Sequence, residues 1–421
     1  MNILVIIGNY YPYPSSTANC ITPLLLSLQE EGHIVSILTN TPQNTKIPYR
    51  MIVNGVEING IPDRYAYYIN KIENFIQSHP KYIKNRVFQN ILKSPFYLRY
   101  QIPAIIERLP SGFIKDNLYK FMGMNKISAF HLMITISHPF VSQLIGLEIK
   151  KRMVDLKWII YELDPYAFNF YLEDSKRKKY ENQESRVMKY SNLIIGTPEL
   201  IRLYKGNIFS KYRKKMHFLQ YSVQDYRKLY QLNEKINHNV VGEFFIAYAG
   251  KFYKEIRDPM PALKIFEKLS LNFYCLLFTN YQDNEFLSFI DRNHTKFVIQ
   301  EHSTHIDTIS TMIKADVLFS VGNTVELQVP AKIFEYMGLG KPLIHFSKIK
   351  DDPAKKYLEN YPFALIINEF EGSILEKVEK IENFFKTMKN KEMSYDEVVE
   401  FLPDFDERNV KENFLSIINK A

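Results

Sequence analysis

The feature that most constrains this chain is a set of short apolar runs in two series. Residues 3–7, 34–38, 132–136, 158–161, 193–195 and 218–219 form the first series, and residues 244–249, 273–278, 297–299, 317–321, 343–346 and 364–367 the second. Runs of this length with little polar alternation read as strands covered on both faces, the pattern of a parallel sheet sandwiched by helices. Between the first two runs, Ile21, Leu24, Leu25 and Leu28 fall on one face of a helix. Pro23 either starts that helix late or kinks it, and Gly32 closes it. Strand, helix and strand joined by a parallel crossover make the doubly wound unit. The expected fold class is therefore α/β, with two doubly wound domains in tandem.

The length agrees, because 421 residues suit two domains of roughly 200 residues each better than one core. A polar stretch at 228–242 reads as the link. The expected bounds are 1–225 and 243–400, with a final helix within 401–421, near 407–419, packing back on the first domain. An insert at about 80–130 stands apart. Its residues 81–130 hold nine basic side chains against two acidic ones, interleaved with Phe88, Ile91, Leu92, Phe96, Tyr97 and Leu98. Such a segment either lies on an anionic membrane surface or covers the first domain as a pair of solvated helices.

The formal charge of +8 favours acidic partners: nucleotides, phospholipid surfaces or nucleic acid. No nucleic-acid recognition motif accompanies it, and the charge is not concentrated enough for that reading to lead. Cys20 and Cys275 are far apart in apolar stretches and build neither a disulfide framework nor a zinc site, which fits a reducing cytoplasm. The opening MNILVIIGNYYPYP has no basic leader and no small-residue cleavage site, and reads as a first strand rather than a signal peptide. No run of 18 apolar residues occurs, so no membrane span is expected. The first loop is not GxGxxG, no GxxxxGK[ST] occurs, and no HExxH occurs. These absences weigh against a dinucleotide dehydrogenase, a P-loop NTPase and a zinc hydrolase. His302 and His305 after Glu301 lack further ligands, and the Asp404-Phe405-Asp406 string reads as a helix cap. No metal site is expected.

Two segments carry chemistry. Residues 317–346, VLFSVGNTVELQVPAKIFEYMGLGKPLIHF, read as a strand, a polar loop, a short helix from near Pro330, a Gly-rich turn at Gly338 and Gly340, and another strand. A helix start in that position attracts a diphosphate, and Glu335, inside the helix, can accept hydrogen bonds from neighbouring ribose hydroxyls. The alternative is that Glu335 is a surface residue paired with Lys332 or Lys341. Residues 246–259, IAYAGKFYKEIRDP, read as a strand ending at Gly250, with Lys251 and Arg257 at its mouth. Two cations there can hold a diphosphate and offset the charge that develops as a sugar–phosphate bond breaks, or they are simply solvated.

The segments QVPAKIFEYMGLGKPLI at 328–344 and AGKFYKEIRDP at 249–259 resemble those of GT-B-fold glycosyltransferases of the large retaining family four, in particular members that make capsules and other surface polysaccharides. ISHPFVSQLIGLEIKK, WIIYELDPY and the opening YYPYPSS followed by EGHIV add weaker support. The resemblance implies two Rossmann-like domains facing across a cleft, the first binding acceptor and the second binding donor. It implies a donor site of Gly250, Lys251, Arg257, Asn323, Pro330, Lys332, Ile333 and Glu335, with Glu335 on the ribose and Lys251 and Arg257 on the diphosphate. Asp164, Lys251 and Arg257 are the implied catalytic residues. Ser15, Ser16, Thr17, His138 and Asp164 are placed on the acceptor side, although His138 also reads as a structural histidine and Asp164 as a turn residue. The chain departs from the family where many members carry another glutamate, here Leu327 beside Glu326. It departs again at a Gly-Gly pair, here Ser15, Ser16 and Thr17, and at a histidine, here Tyr161.

The expected function is transfer of a sugar from a nucleoside-diphosphate sugar, UDP- or GDP-linked, to a saccharide or lipid-linked saccharide, with retention of configuration and with neither metal nor cofactor. The site of action is the cytoplasm or the inner face of a membrane. A non-catalytic scaffold of the same fold is the alternative.

Overall fold

The computed structural model describes residues 1–11, 15–41, 47–61, 127–137, 139–169, 172, 174–233, 244–301 and 304–421, with the side chains of residues 16, 232 and 233 set aside. Pro14, His138, His302, nearly all of the basic insert and most of the 228–242 stretch therefore lie outside the described residues. The chain divides into two compact units, one of residues 1–219 with 411–421 and one of residues 220–410.

In the first unit the strands are β1 (Asn2–Ile6), β2 (Ile34–Asn40), β3 (Tyr49–Val53), β4 (Val56–Ile61), β5 (Leu132–Ser137), β6 (Lys157–Glu162), β7 (Leu193–Gly196) and β8 (Met216–Phe218). They form one sheet in the order β3-β4-β2-β1-β5-β6-β7-β8. Every pairing is parallel except β3 with β4. The order runs outward from β1 in one direction and from β5 in the other, so the reversal that marks a doubly wound sheet lies between those two. The helices are α1 (Ser16–Glu30), α2 (Val141–Arg152), α3 (Asp174–Tyr190) and α4 (Pro198–Lys205). Trp158 is fully buried at the centre, and its Nε1 donates to Thr135 Oγ1 at 2.9 Å.

The structure decides between the two readings of Pro23, adds a hairpin, and corrects one expectation in the next unit. Helix α1 begins at Ser16, so Pro23 lies inside it and does not delay it. The β3–β4 hairpin was not expected, although Asn54 and Gly55, both at positive φ, are the pair that a two-residue turn of this hand requires. Edge strand β3 alternates half-buried and exposed residues, so it lacks the continuous apolar run that revealed the other strands. The polar stretch after residue 227 opens not as a link but as α5 (Arg227–Asn233). Leu229 and Tyr230 pack on the second unit's core, and the Tyr230 hydroxyl donates to the Leu339 carbonyl at 2.5 Å.

The second unit carries β9 (Phe244–Ala249), β10 (Phe273–Phe278), β11 (Phe297–Gln300), β12 (Val317–Val321), β13 (Leu343–Ser347) and β14 (Ala364–Asn368), all parallel, in the order β11-β10-β9-β12-β13-β14. Its switch point is between β9 and β12. The helices following α5 are α6 (Met260–Glu267), α7 (Asn284–Arg292), α8 (His305–Met312), α9 (Lys332–Gly338), α10 (Lys355–Leu358), α11 (Ile374–Met388), α12 (Tyr395–Phe401) and α13 (Glu407–Ile418), the last running from the second unit into residues counted with the first. Within the Asp404–Asp406 string, Asp406 caps α13 by accepting the Arg408 N–H at 3.0 Å. Apolar side chains fill both faces of the sheet, with Phe266, Phe319 and Phe346 on one and Tyr336, Leu318 and Ile309 on the other. Among the described residues no helix is long and apolar enough to cross a membrane.

Candidate functional site

Ligands of doubly wound sheets bind beyond the carboxyl ends of the strands, beside the switch point. In the second unit, that rule selects the loops after β9 and β12. Gly250 follows β9, and a Cβ there would stand 2.8 Å from the Tyr248 hydroxyl, so a side chain would crowd the strand end. Lys251 is exposed, and its ammonium makes no ion pair or hydrogen bond among the described residues. The chain then anchors itself with Phe252, which stacks on Tyr248 at 4.3 Å. It turns back tightly, and the Arg257 N–H donates to the Tyr253 carbonyl at 2.7 Å. This turn sends the Arg257 side chain to Asn323, where Nε donates to Oδ1 at 2.9 Å.

Asn323 is 3% exposed and spends its amide on the Gln328 carbonyl at 2.8 Å. One side chain thus fixes both the guanidinium and the loop that leads into α9. Thr324 donates its N–H to the Ile256 carbonyl at 2.9 Å, so the two loops are also joined by backbone.

Helix α9 starts at Lys332, two residues after Pro330, which is itself buried. Ile333 is fully buried and its N–H bonds the Pro330 carbonyl at 3.0 Å, so it holds the helix on the sheet and offers no polar contact to a ligand. Tyr336 ties the helix to the end of β9: its hydroxyl accepts the Ala249 N–H at 2.9 Å and donates to the Ala249 carbonyl at 3.0 Å. The Gly-rich turn serves close backbone packing. A Cβ on Gly338 would sit 2.6 Å from the Gln224 carbonyl oxygen, and one on Gly340, at φ +65°, would overlap the Met393 carbonyl.

Glu335 is the centre of the site. It is 8% exposed, and it makes the Lys332 pairing of the alternative reading, though from a buried position and not from the surface. Its Oε2 takes the Lys332 ammonium, while Lys341 pairs elsewhere, with Glu392 at 2.6 Å. Its Oε1 faces His305 Nε2 at 2.6 Å and the Tyr226 hydroxyl at 3.1 Å. Burial alone would raise its pKa, but the charge of Lys332 and the bond from His305 outweigh it and hold the carboxyl at about 2. Glu335 is therefore ionised at any ordinary pH. The sequence marked His305 only as half of a discounted metal pair with His302 and did not mark Tyr226, because they lie 30 and 109 residues away from Glu335.

In the first unit the predicted acceptor-side residues divide. Ser15 is committed to α1: its Oγ accepts the Ala18 N–H at 3.2 Å and donates to the Asn9 carbonyl at 3.0 Å. Thr17 is 9% exposed. Asp164 is half-buried in the bend after β6, just before Tyr166, whose ring stacks on Phe140 at 3.6 Å. A hollow that the sequence did not suggest lies beyond β1, β2 and β4 and is lined by Gly8, Asn40, Ile61, Val141 and Ser142.

A buried acid pair was also missed. Glu162, fully buried at the end of β6, accepts the Ser137 hydroxyl on Oε2 and has no partner for Oε1 among the described residues. Glu184 accepts the Ala167 N–H at 3.0 Å and the Tyr204 hydroxyl. Burial, and for Glu162 the nearby Glu184 charge, raises both pKa values. Among the described residues no group of three or more His, Cys, Asp or Glu could hold a metal ion.

No protein-family profile matches the chain, and no curated protein sequence does. Solved structures do match. Sucrose-phosphate synthase from Thermosynechococcus elongatus aligns over 100% of this chain and 98% of its own, at 11% identity and a TM-score of 0.65. The catalytic domain of starch synthase IV from Arabidopsis thaliana, bound to ADP and acarbose, aligns over 99% and 98%, at 10% identity and a TM-score of 0.63. WaaG, a glycosyltransferase involved in lipopolysaccharide biosynthesis, aligns over 100% and 98%, at 10% identity and a TM-score of 0.54. At such identities the likeness speaks for the fold and not for the reaction. The chain thus has the α/β GT-B fold of these glycosyltransferases, built from two Rossmann-like units.

Proposed function

We propose that this chain is a glycosyltransferase that moves a sugar from a nucleoside-diphosphate sugar, UDP- or GDP-linked, to a saccharide or lipid-linked saccharide. The observation that carries the reading is a buried, ionised carboxylate, Glu335, tied through Tyr336 to the same strand end that presents Lys251 and Arg257. A carboxylate fixed in that state is an acceptor for ribose hydroxyls and not a proton donor. A guanidinium held by Asn323 presents its remaining N–H groups in a fork that suits phosphate oxygens. Lys251 supplies a second charge at the same mouth.

In this reading Arg257 and Lys251 stabilise the charge that builds on the diphosphate as the glycosidic bond to it breaks. Asp164 faces the acceptor. Retention of configuration, independence of metal, a surface-polysaccharide product and action at the inner face of a membrane rest on the resemblance to family four, with the basic insert as a further argument for the membrane.

The test is a thermal-shift panel with UDP, GDP, ADP, CMP and NADH, with and without EDTA. A ligand at about 100 times its dissociation constant adds about 2.7 kcal/mol to stability. The expected result is one nucleoside diphosphate standing out, indifferent to EDTA and lost in Glu335→Ala. A folded protein that responds to none of them would turn the reading toward a non-catalytic scaffold.

A further inference from the structure

The first unit carries unspent hydrogen-bond donors where a doubly wound sheet binds its ligand. Its strand order reverses between β1 and β5, and the hollow beyond β1, β2 and β4 lies at the carboxyl end of this sheet. Helix α2 begins on the lining of that hollow. It is 12 residues long, and Phe140, its cap residue, gives it no side-chain hydrogen bond. The Ser142 N–H turns back to the Pro139 carbonyl at 3.2 Å and the Gln143 N–H to the Phe140 carbonyl at 3.0 Å. The Val141 N–H has no partner among the described residues.

Three further groups meet there. Ser142 lines the hollow and is 2% exposed, and its hydroxyl makes no hydrogen bond among the described residues. A hydroxyl so enclosed costs stability unless water or a ligand meets it. The side-chain amide of half-buried Asn40, on the same lining, is likewise unbonded among the described residues. Gly8 is the third. A Cβ there would stand 2.2 Å from Pro139 Cδ, so a side chain would push the start of α2 away from the end of β1. Its carbonyl accepts the Asn40 N–H at 2.8 Å, while its own N–H has no partner among the described residues. No acidic side chain lines the hollow, and Ile6, Ile61 and Ile145 supply apolar walls.

We propose that this hollow is an anion site that holds a phosphate ester of the acceptor, with Gly8, Asn40, Val141 and Ser142 as its donors. Two backbone N–H groups at the positive end of a helix favour a charged oxygen over a neutral sugar hydroxyl. The apolar walls suit the organic part of the ester. The anion site stands on the first unit alone, and calling its ligand the acceptor rests on the reading of the chain as a glycosyltransferase.

The experiment is calorimetric titration, in phosphate-free buffer, of a hexose 6-phosphate, farnesyl phosphate and uncharged methyl glucoside. The proteins are the wild type, Ser142→Ala, Ser142→Asp and Arg257→Ala. At least one phosphate ester is expected to bind the wild type, and methyl glucoside at least about tenfold more weakly. Ser142→Ala should weaken the ester by about tenfold, Ser142→Asp should abolish its binding, and Arg257→Ala should leave it unchanged. Ser142→Asp puts a carboxylate in the first turn of α2, where the helix dipole favours it. Its melting temperature separates repulsion of the ligand from loss of fold, and Ser142→Ala serves if the aspartate variant melts early.

Binding of the hexose 6-phosphate alone identifies a phosphosugar, and binding of farnesyl phosphate alone a lipid carrier; either supports the proposal. Esters that bind the wild type and both Ser142 variants equally would overturn it. So would binding lost only in Arg257→Ala, which belongs to the donor loops, or no binding of either ester. UDP and GDP titrated into the same proteins keep the two readings apart: nucleotide binding that survives Ser142→Asp leaves the proposed function standing in each of these cases.

Discussion

The buried acid pair of the first unit makes the stability of this protein depend on pH in a direction opposite to that of a salt-bridged carboxylate. Among the described residues Glu162 has no counter-ion, and burial with the Glu184 charge raises its carboxyl from 4.5 to about 8. Between those values the unfolded chain has released the proton and the folded chain has kept it. The contribution of Glu162 is therefore whole below about pH 4.5 and is lost as pH rises toward 8. At about 1.36 kcal/mol per pH unit, the full interval corresponds to at most ~5 kcal/mol.

Glu162→Gln removes the titration and keeps the shape. The amide oxygen can still accept from Ser137, and the NH2 takes the place of Oε1, which has no partner among the described residues. Glu184 remains and retains part of the dependence. The variant should match the wild type near pH 5 and exceed it at pH 8 by about 2–4 kcal/mol, a rise of roughly 5–10 °C in melting temperature. Scanning calorimetry of both proteins at pH 5, 6, 7 and 8 measures this. Equal melting-temperature differences at all four values would refute the argument, because a residue acting through packing alone carries no pH dependence.

Two further outcomes follow from the second unit. Gly340→Ala places a methyl group on a residue at φ +65° against the Met393 carbonyl and should lower stability by more than about 2 kcal/mol in urea unfolding. Arg257→Lys keeps the charge but loses the Nε bond to Asn323 and the forked geometry. Affinity for the responding nucleoside diphosphate should fall by about tenfold while the melting temperature of the free protein moves by no more than ~2 °C. An unchanged affinity would remove Arg257 from the donor site.

Much of the architecture could be read from the chain because buried parallel strands write themselves as uninterrupted apolar runs. The bounds expected for β9, β10 and β12 coincide with those found. The hairpin of β3 and β4 escaped because an edge strand with one wet face alternates, leaving the Asn54-Gly55 turn as the signal. The candidate site was legible in part. Glu335, Arg257 and Asn323 sit in segments whose local order, strand then loop then helix, already places them at a strand mouth.

Residue order alone determined two doubly wound units and the presence of cations and a carboxylate at the ends of their strands, since these follow from local periodicity and turn chemistry. The tertiary structure decided which charges meet. It brought His305 and Tyr226 to one oxygen of Glu335 and Lys332 to the other, and sent Lys341 to Glu392. It also enclosed Glu162 and Glu184 together within one core, two acids that nothing in their own segments sets apart. Electrostatics depends on distance and burial in space, and neither is written in the spacing of residues along a chain.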